Sequence, residues 1–283
     1  MRPLLKWAGG KARLAQSIGE AFQDPCKGVY YEPFCGAGSV FLYRRSKGQI
    51  DGAVLSDINP KLVAVHTAVR DTLDLLLEEL DRLPQEDWRE RYYEVRESYN
   101  EGPHEGPAHA ARFIWLNRAG FNGLYRENRK GGFNVPIGRY DRLSFPEESH
   151  FRQVSELLQG VEIRTSTFEP ILKRARKGDQ VYCDPPYVPL STTASFVGYH
   201  KSAFNQTHQL ALAREAQRAA HEGAVVVLSN HDLPVVRTEI YPKDAGFVYV
   251  ARPEVSRSIS RKGAGRQRVG EVIARIGPLP RVA

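Results

Sequence analysis

The chain has 283 residues, 41% of them hydrophobic and 26% charged, enough apolar content to bury a sizeable core and to exclude a disordered polypeptide. Basic residues exceed acidic ones, 40 Lys+Arg against 33 Asp+Glu, and a pI near 9.3 suits a polyanionic partner without requiring one. Three scattered cysteines (Cys26, Cys35, Cys183) fit neither a disulfide framework nor a paired-cysteine zinc site, and no apolar run approaches the ~20 residues of a membrane span, so a cytoplasmic protein is expected.

In chain order, Lys6-Trp7-Ala8-Gly9-Gly10-Lys11 joins an aromatic, a flexible turn and two cations. It reads either as an anchored terminal segment or as a lid over a ligand, with Trp7 on apolar surface and Lys11 near a carboxylate. Short apolar runs at Val29 to Tyr31, Ala53 to Leu55, Val181 to Cys183 and Ala224 to Leu228 end in polar or glycine-rich turns, the pattern of buried parallel strands. Asn59 as N-cap and Pro60 at the first helical position open a helix running through Leu62, His66, Val69, Leu73, Leu76, Leu77 and Leu80. Alternating strands and helices predict a doubly wound α/β core. Composition shifts between about Leu83 and Pro146, where Arg, Asn, Gly and aromatics abound; residues 61–146 are expected as an inserted unit, with 1–60 and 147–283 forming the core. No repeat at a fixed period is visible.

In an open parallel sheet, ligands gather beyond the carboxyl ends of the strands. Four turns stand there: Glu32-Pro33-Phe34-Cys35-Gly36-Ala37-Gly38, Ser56-Asp57, Asp184-Pro185-Pro186-Tyr187 and Ser229-Asn230-His231-Asp232. Gly36 and Gly38 permit a tight turn and close approach of a ligand, and Asp57, 21 residues after Gly36, is placed to take two ribose hydroxyls. Phe41 stands where a dinucleotide fingerprint needs a third small residue, which favours a nucleoside without phosphates. Two glycines alone are equally compatible with a structural turn.

Asp184-Pro185-Pro186-Tyr187 carries the chemistry. An exocyclic amino nitrogen on a base is a poor nucleophile because its lone pair is delocalised into the ring, so an enzyme must accept its hydrogens. Asp184 supplies a carboxylate and the Pro185 carbonyl a second acceptor, while the prolines add rigidity and no N–H. Tyr187 offers a face on which a flipped base can stack.

The order of Lys6 to Lys11, Glu32-x-Phe34-x-Gly36-x-Gly38, a basic insertion and Asp184-Pro185-Pro186-Tyr187 resembles the DNA adenine methylase family of class alpha amino-methyltransferases. Further matching stretches are Leu116-Asn117-Arg118, Phe121 to Leu124, Phe133 to Pro136, Gly138 to Tyr140, Ser229 to Asp232 and Arg257 to Ser260, so the likeness spans the chain from Leu5 to about Ile276. It implies a Rossmann-like S-adenosylmethionine-dependent methyltransferase core with an inserted, mainly helical target-recognition domain. It implies cofactor contacts at Trp7, Lys11, Asp57 and Asp184, with Glu32, Phe34, Gly36 and Gly38 of the matching turn included in that site. Asp184, Pro185, Pro186 and Tyr187 would hold the flipped adenine, and transfer would be in line, yielding S-adenosylhomocysteine, without a metal or a covalent intermediate.

From Arg112 through Arg142, seven basic residues face two acidic ones, interleaved with Phe121, Tyr125, Phe133, Tyr140 and with Asn122, Asn128 and Asn134. This suits phosphate contacts together with base-edge hydrogen bonds and stacking on double-stranded DNA. By resemblance, Arg126 and Lys6 each read a guanine, Leu124 and Pro136 touch a thymine methyl, and Phe121 wedges into the duplex, which implies a GATC target. Arg96, Asn128, Asn134, Arg139 and Tyr140 are assigned to the sugar-phosphate backbone. The basic stretch Arg252 to Arg268 either wraps DNA or is a solvated terminus. The loop with Pro189, Ser191, Thr192, Thr193 and Ser195 either closes over the base or merely connects.

The eight histidines show no metal spacing. A monomer with no obligate protein partner is expected. Competing functions are an adenine methyltransferase of a restriction-modification system with another target, an N4-cytosine methyltransferase, a methyltransferase acting on RNA or protein, and a silent DNA binder. Asp184 disfavours the cytosine enzyme, since relatives of that class more often carry serine or asparagine there, and the basic insertion disfavours an RNA or protein substrate.

Overall fold

The computed structural model describes residues 1–190, 204–256 and 268–278. Its centre is a sheet built from β1 (Val29–Glu32), β2 (Gly52–Asp57), β3 (Glu162–Thr165), β4 (Gln180–Cys183), β5 (Val225–His231), β6 (Val248–Ala251), β7 (Glu254–Ser256) and β8 (Arg268–Ile276). The strand order is β3-β2-β1-β4-β5-β8-β6, with β7 paired to the start of β8. β1 to β5 are mutually parallel, whereas β8 runs antiparallel to β5 and β6. Because β2 and β3 extend from one side of β1 and β4 and β5 from the other, the order reverses between β1 and β4. That reversal opens a crevice where the loops leaving these two strands diverge.

Both faces of the central strands β1, β2, β4 and β5 are buried, which is why these strands read as continuous apolar runs. Tyr30, Ala53, Leu55, Tyr182 and Val227 point to one face, toward α1 (Ala15–Ala21), α2 (Ser39–Ser46), α3 (Pro60–Asp71) and α7 (Glu148–Leu158). Tyr31, Val54, Val181, Cys183 and Leu228 point to the other, toward α8 (Phe168–Leu172) and α9 (Gln206–His221). The observed architecture is thus the expected α/β class, with layers of helix, sheet and helix.

Between β2 and β3 the chain adds α4 (Leu73–Asp81), α5 (Trp88–Glu101) and α6 (Gly106–Ala119), then the irregular segment 120–147. α6 is apolar on most sides because α3, α4 and α5 all pack on it. α5 buries Trp88, Tyr92, Val95 and Tyr99 at helical spacing. The boundary expected at residue 60 falls at the first turn of α3, which packs on β2 and β3 as well as on α6. One hydrophobic cluster runs from Phe41 through Leu62 to Trp115 and Phe133, so the added helices share the core of the sheet.

Asn59 caps α3 as expected, its side chain accepting from Lys61 N at 3.0 Å and Leu62 N at 3.3 Å. The single helix expected through Leu80 is two helices. Thr72 leaves helical geometry (φ −138, ψ 40) and its hydroxyl donates back to the Ala68 carbonyl at 3.2 Å, a side-chain bond that competes with helix continuation.

Candidate active site

Two glycines shape the first wall of the crevice. After β1 the chain turns at Gly36 (φ +48) and Gly38 (φ +72), the latter being the N-cap of α2. A side chain at Gly36 would lie 2.9 Å from Trp7 Cδ1, so the turn and the Trp7 ring are packed directly together. Asp57, at the carboxyl end of β2, accepts from Gly36 N at 3.1 Å and Asn59 N at 3.0 Å. Each of its oxygens therefore keeps a lone pair while the carboxylate braces both loops. His66 Nε2 lies 2.7 Å from the Gly36 carbonyl.

Glu32 is buried and accepts from the Tyr30 hydroxyl at 2.7 Å. Burial pushes its carboxyl up to about 8, helped by the neighbouring Asp184 charge. Phe34 turns to the other side of the sheet, stacking on Phe168 and meeting Phe204 edge-on, each with ring centres 5.7 Å apart.

The second wall is the turn after β4. Lys11 Nζ lies 3.0 Å from Asp184 Oδ2 and 4.7 Å from the centre of the Tyr187 ring, and it also donates to the Gly9 carbonyl at 2.6 Å. Asp184 Oδ1 is buried and has no hydrogen-bond partner among the described residues. Burial raises the Asp184 carboxyl to about 6, with Lys11 opposing the shift. A buried acceptor without a donor is costly, so a ligand that donates to it there is favoured.

Partners that the sequence did not single out hold this turn. Gln209 of α9 donates to the Pro186 carbonyl at 2.7 Å and accepts from Asn230 Nδ2 at 3.1 Å. Asn230 Oδ1 accepts from Val188 N at 3.1 Å, and His231 Nδ1 donates to the Val188 carbonyl at 2.6 Å. The Tyr187 hydroxyl donates to Glu271 Oε2 of β8 at 3.0 Å, and its ring meets His231 edge-on at 4.8 Å. The only sequence signal for any of these was the position of Ser229 to Asp232 at a strand end.

Trp7 stacks on Phe113 and on Tyr125, at 6.3 and 5.6 Å, so the N-terminal segment joins the crevice to the added helices. Beyond it lie the residues expected on DNA. Lys6 is fixed through its backbone, its N–H donating to Asn117 Oδ1 at 2.8 Å, while its ammonium sits 4.4 Å over the Tyr140 ring. Phe121, exposed beside Asn122 in a left-handed conformation (φ +54), lines an open groove of about 670 Å³ with Pro136, Arg139 and Arg89. Leu124 is half-buried against the core. Arg126 is exposed and its Nε and Nη2 donate to Asn134 Oδ1 and to the Asn134 carbonyl at 2.7 and 2.9 Å. Asn128 Oδ1 is engaged by Lys130 N and Gly132 N at 2.9 and 3.1 Å, closing a turn, and Arg96 lies over the Tyr93 ring. Ser191, Thr192, Thr193, Ser195, the segment Arg257 to Ser260 and most of the stretch from Arg252 to Arg268 lie outside the described residues.

A parallel sheet that ends in an antiparallel hairpin, with an Asp-Pro-Pro-Tyr turn at its switch point, defines a Rossmann-like amino-methyltransferase. Residues 7–252 match the family of D12 class N6 adenine-specific DNA methyltransferases, and the chain belongs to that family. It is similar to a DNA adenine methylase of Vibrio cholerae, 36% identical over 280 residues that cover 98% of this chain and 96% of the relative. A DNA adenine methylase of Escherichia coli is 37% identical with the same coverage, and the type II methyltransferase M.MjaIII of Methanocaldococcus jannaschii is 37% identical over 81% of this chain and 84% of its own. The protein is thus an adenine-specific DNA methyltransferase. Among the described residues there is no group of three metal-binding side chains and no helix long and apolar enough to cross a membrane.

Proposed function

We propose that the enzyme transfers the methyl group of S-adenosyl-L-methionine to N6 of an adenine rotated out of duplex DNA, within GATC. The observation that carries this proposal is Asp184 Oδ1, a buried acceptor with no hydrogen-bond partner among the described residues, on a carboxylate whose other oxygen meets the Lys11 ammonium, itself 4.7 Å from the centre of the Tyr187 ring. The crevice suits the methyl donor: Asp57 and Asp184 make an acidic lining for a cationic ligand, and the turn at Gly36 and Gly38 brings backbone close. Phe34, Phe168 and Phe204 offer apolar faces for an adenine ring. When bound, S-adenosylmethionine supplies a methyl group on a positively charged sulfur.

The residues of the chain do the rest. Asp184 Oδ1 and the Pro185 carbonyl accept the two N6 hydrogens, which draws the nitrogen lone pair out of the ring and toward the incoming carbon. Lys11 holds the other oxygen, so the carboxylate presents one orientation. Tyr187, fixed by Glu271 and His231, stacks on the extruded base and offsets part of the few kcal/mol that extrusion costs.

Target reading is supported by the face around Arg126. With Nε and one Nη2 hydrogen held by Asn134, the outer edge of the guanidinium remains as a two-donor fork for guanine O6 and N7. In this reading Asn134 aims Arg126, alongside the sugar-phosphate backbone contact expected of it. Phe121 and Pro136 stand exposed at the same groove, suited to wedging and to a thymine methyl.

The test is methyl transfer from labelled S-adenosylmethionine to duplex DNA, followed by nucleoside analysis and mapping of the modified positions. N6-methyladenine within GATC is expected; label in cytosine, or in adenine of another site, would contradict the proposal. Asp184→Ala is expected to abolish turnover and spare DNA affinity. Arg126→Ala is expected to cost ~1–3 kcal/mol of discrimination at one guanine.

A further inference from the structure

Lys61 is the second helical residue of α3, behind the Asn59 cap and Pro60, and its side chain is only 11% exposed. A cation there faces the positive end of the helix dipole and gives up hydration, so it must be compensated. Its ammonium donates to Glu127 Oε1 at 2.9 Å and to the Gly131 carbonyl at 2.6 Å. Glu127 also accepts from the Tyr125 hydroxyl, and Tyr125 stacks on Trp7.

These acceptors belong to a short hairpin. Asn134 N donates to the Arg126 carbonyl at 3.0 Å, Asn128 N donates to the Gly132 carbonyl at 2.8 Å, and Glu127 faces Phe133 in an antiparallel bridge. Successive side chains alternate across such a ribbon, so Glu127 turns toward α3 while Arg126 is left on the exposed side. A two-stranded hairpin on its own is marginally stable. Its returning strand is tied to α5, where Asn100 accepts from Phe133 N at 2.7 Å and donates to the Phe133 carbonyl at 3.1 Å. The outgoing strand, which bears Arg126, is tied by Lys61.

The same helix start braces the cofactor crevice. Asn59 N donates to Asp57 Oδ1, and Asp57 Oδ2 accepts from Gly36 N. Five consecutive residues, 57–61, therefore join the turn that lines the crevice to the hairpin that carries Arg126.

We propose that Lys61 is a positioning residue for target recognition: its clasp on Glu127 and Gly131 fixes the height and angle at which the hairpin presents Arg126. The proposal rests on the assignment of this hairpin to base reading.

The experiment measures kcat/KM of the full-length enzyme on duplexes carrying its mapped target and on duplexes with one base pair changed. Lys61→Met keeps the stem and removes the three donors. It is expected to shrink the ratio of target to altered duplex about tenfold, at the base pair where Arg126→Ala also loses discrimination. KM for DNA should rise, while kcat at saturating target DNA and the thermal midpoint stay near wild type. Lys61→Arg, which can reach both acceptors, should retain the ratio. Should Lys61→Met fail to fold, Glu127→Gln, a change at the hairpin itself, is expected to lose discrimination in the same direction and to a smaller degree. A folded Lys61→Met with an unchanged ratio overturns the proposal, and so does an equal loss on every duplex, which is what a loosened structure would give. An Arg126→Ala enzyme that keeps its discrimination counts against base reading by Arg126, and Lys61 is then judged by its own ratio.

Discussion

In the proposed mechanism Asp184 offers both oxygens as acceptors only when ionised, since protonation turns one of them into a donor, and burial has moved its carboxyl from 3.8 to about 6. For an acid whose folded value is raised, the charged form is the one the fold disfavours. Activity is therefore expected to fall as pH drops through about 6, although the folded state itself gains stability as the carboxylate takes up its proton. Lys11 opposes the shift, so Lys11→Met is expected to move the acid limb of the pH profile upward. A limb that stays in place in kcat/KM measurements across pH 5 to 8 would show that the ammonium does not hold this carboxylate. Glu32 is pushed higher still, to about 8, and so stays protonated at neutral pH, which leaves Asp184 the dominant anion between these two buried carboxyls.

The turn after β4 owes its shape to its neighbours as much as to its prolines. Gln209 on α9 and Asn230 on β5 form one buried network that terminates on the Pro186 carbonyl and on Val188 N. Gln209→Leu preserves volume and removes both bonds, leaving Asn230 and the Pro186 carbonyl short of partners. It is expected to destabilise the fold by ~1–3 kcal/mol and to lower kcat with little effect on DNA affinity. Thermal unfolding and a titration of fluorescent duplex check the two halves, and a variant that loses affinity while keeping kcat would assign Gln209 elsewhere. At this scale much was legible beforehand. The four buried strands, the Asn59 cap and the strand-end turns all show in the sequence, because each is written in a few adjacent residues. β3 was missed because Glu162-Ile163-Arg164-Thr165 is a half-exposed edge strand without an apolar run. β6 and β8 are likewise hidden, since their pairing depends on partners far along the chain.

Across the molecule, the turn after β1 and the hairpin that carries Arg126 pack on one hydrophobic cluster, which holds Cys35 and Ala37 as well as Phe133. Between Arg112 and Arg142 the seven basic residues outnumber two acidic ones, and Arg129 and Lys130 stand exposed at the hairpin tip. The logarithm of the DNA-binding constant is therefore expected to fall linearly with the logarithm of salt concentration. Arg129→Ala should flatten that slope by about 1 and weaken all sequences alike. If it instead alters preference among duplexes at constant slope, Arg129 reads bases and not phosphate.

By itself the sequence determined the α/β class and the strand-end turns, since short-range patterning dictates local conformation, and it put forward the acceptor chemistry proposed for Asp184 to Tyr187, since residue type limits chemistry. It also pointed to the basic, aromatic face for DNA. Only the tertiary structure decided which distant groups meet: Lys11 on Asp184, Tyr187 on Glu271 at a separation of 84 residues, Lys61 on Glu127 at 66, and Asn134 on Arg126. Those pairings follow from how helices and strands pack and register against one another, a long-range condition that no local window of residues contains.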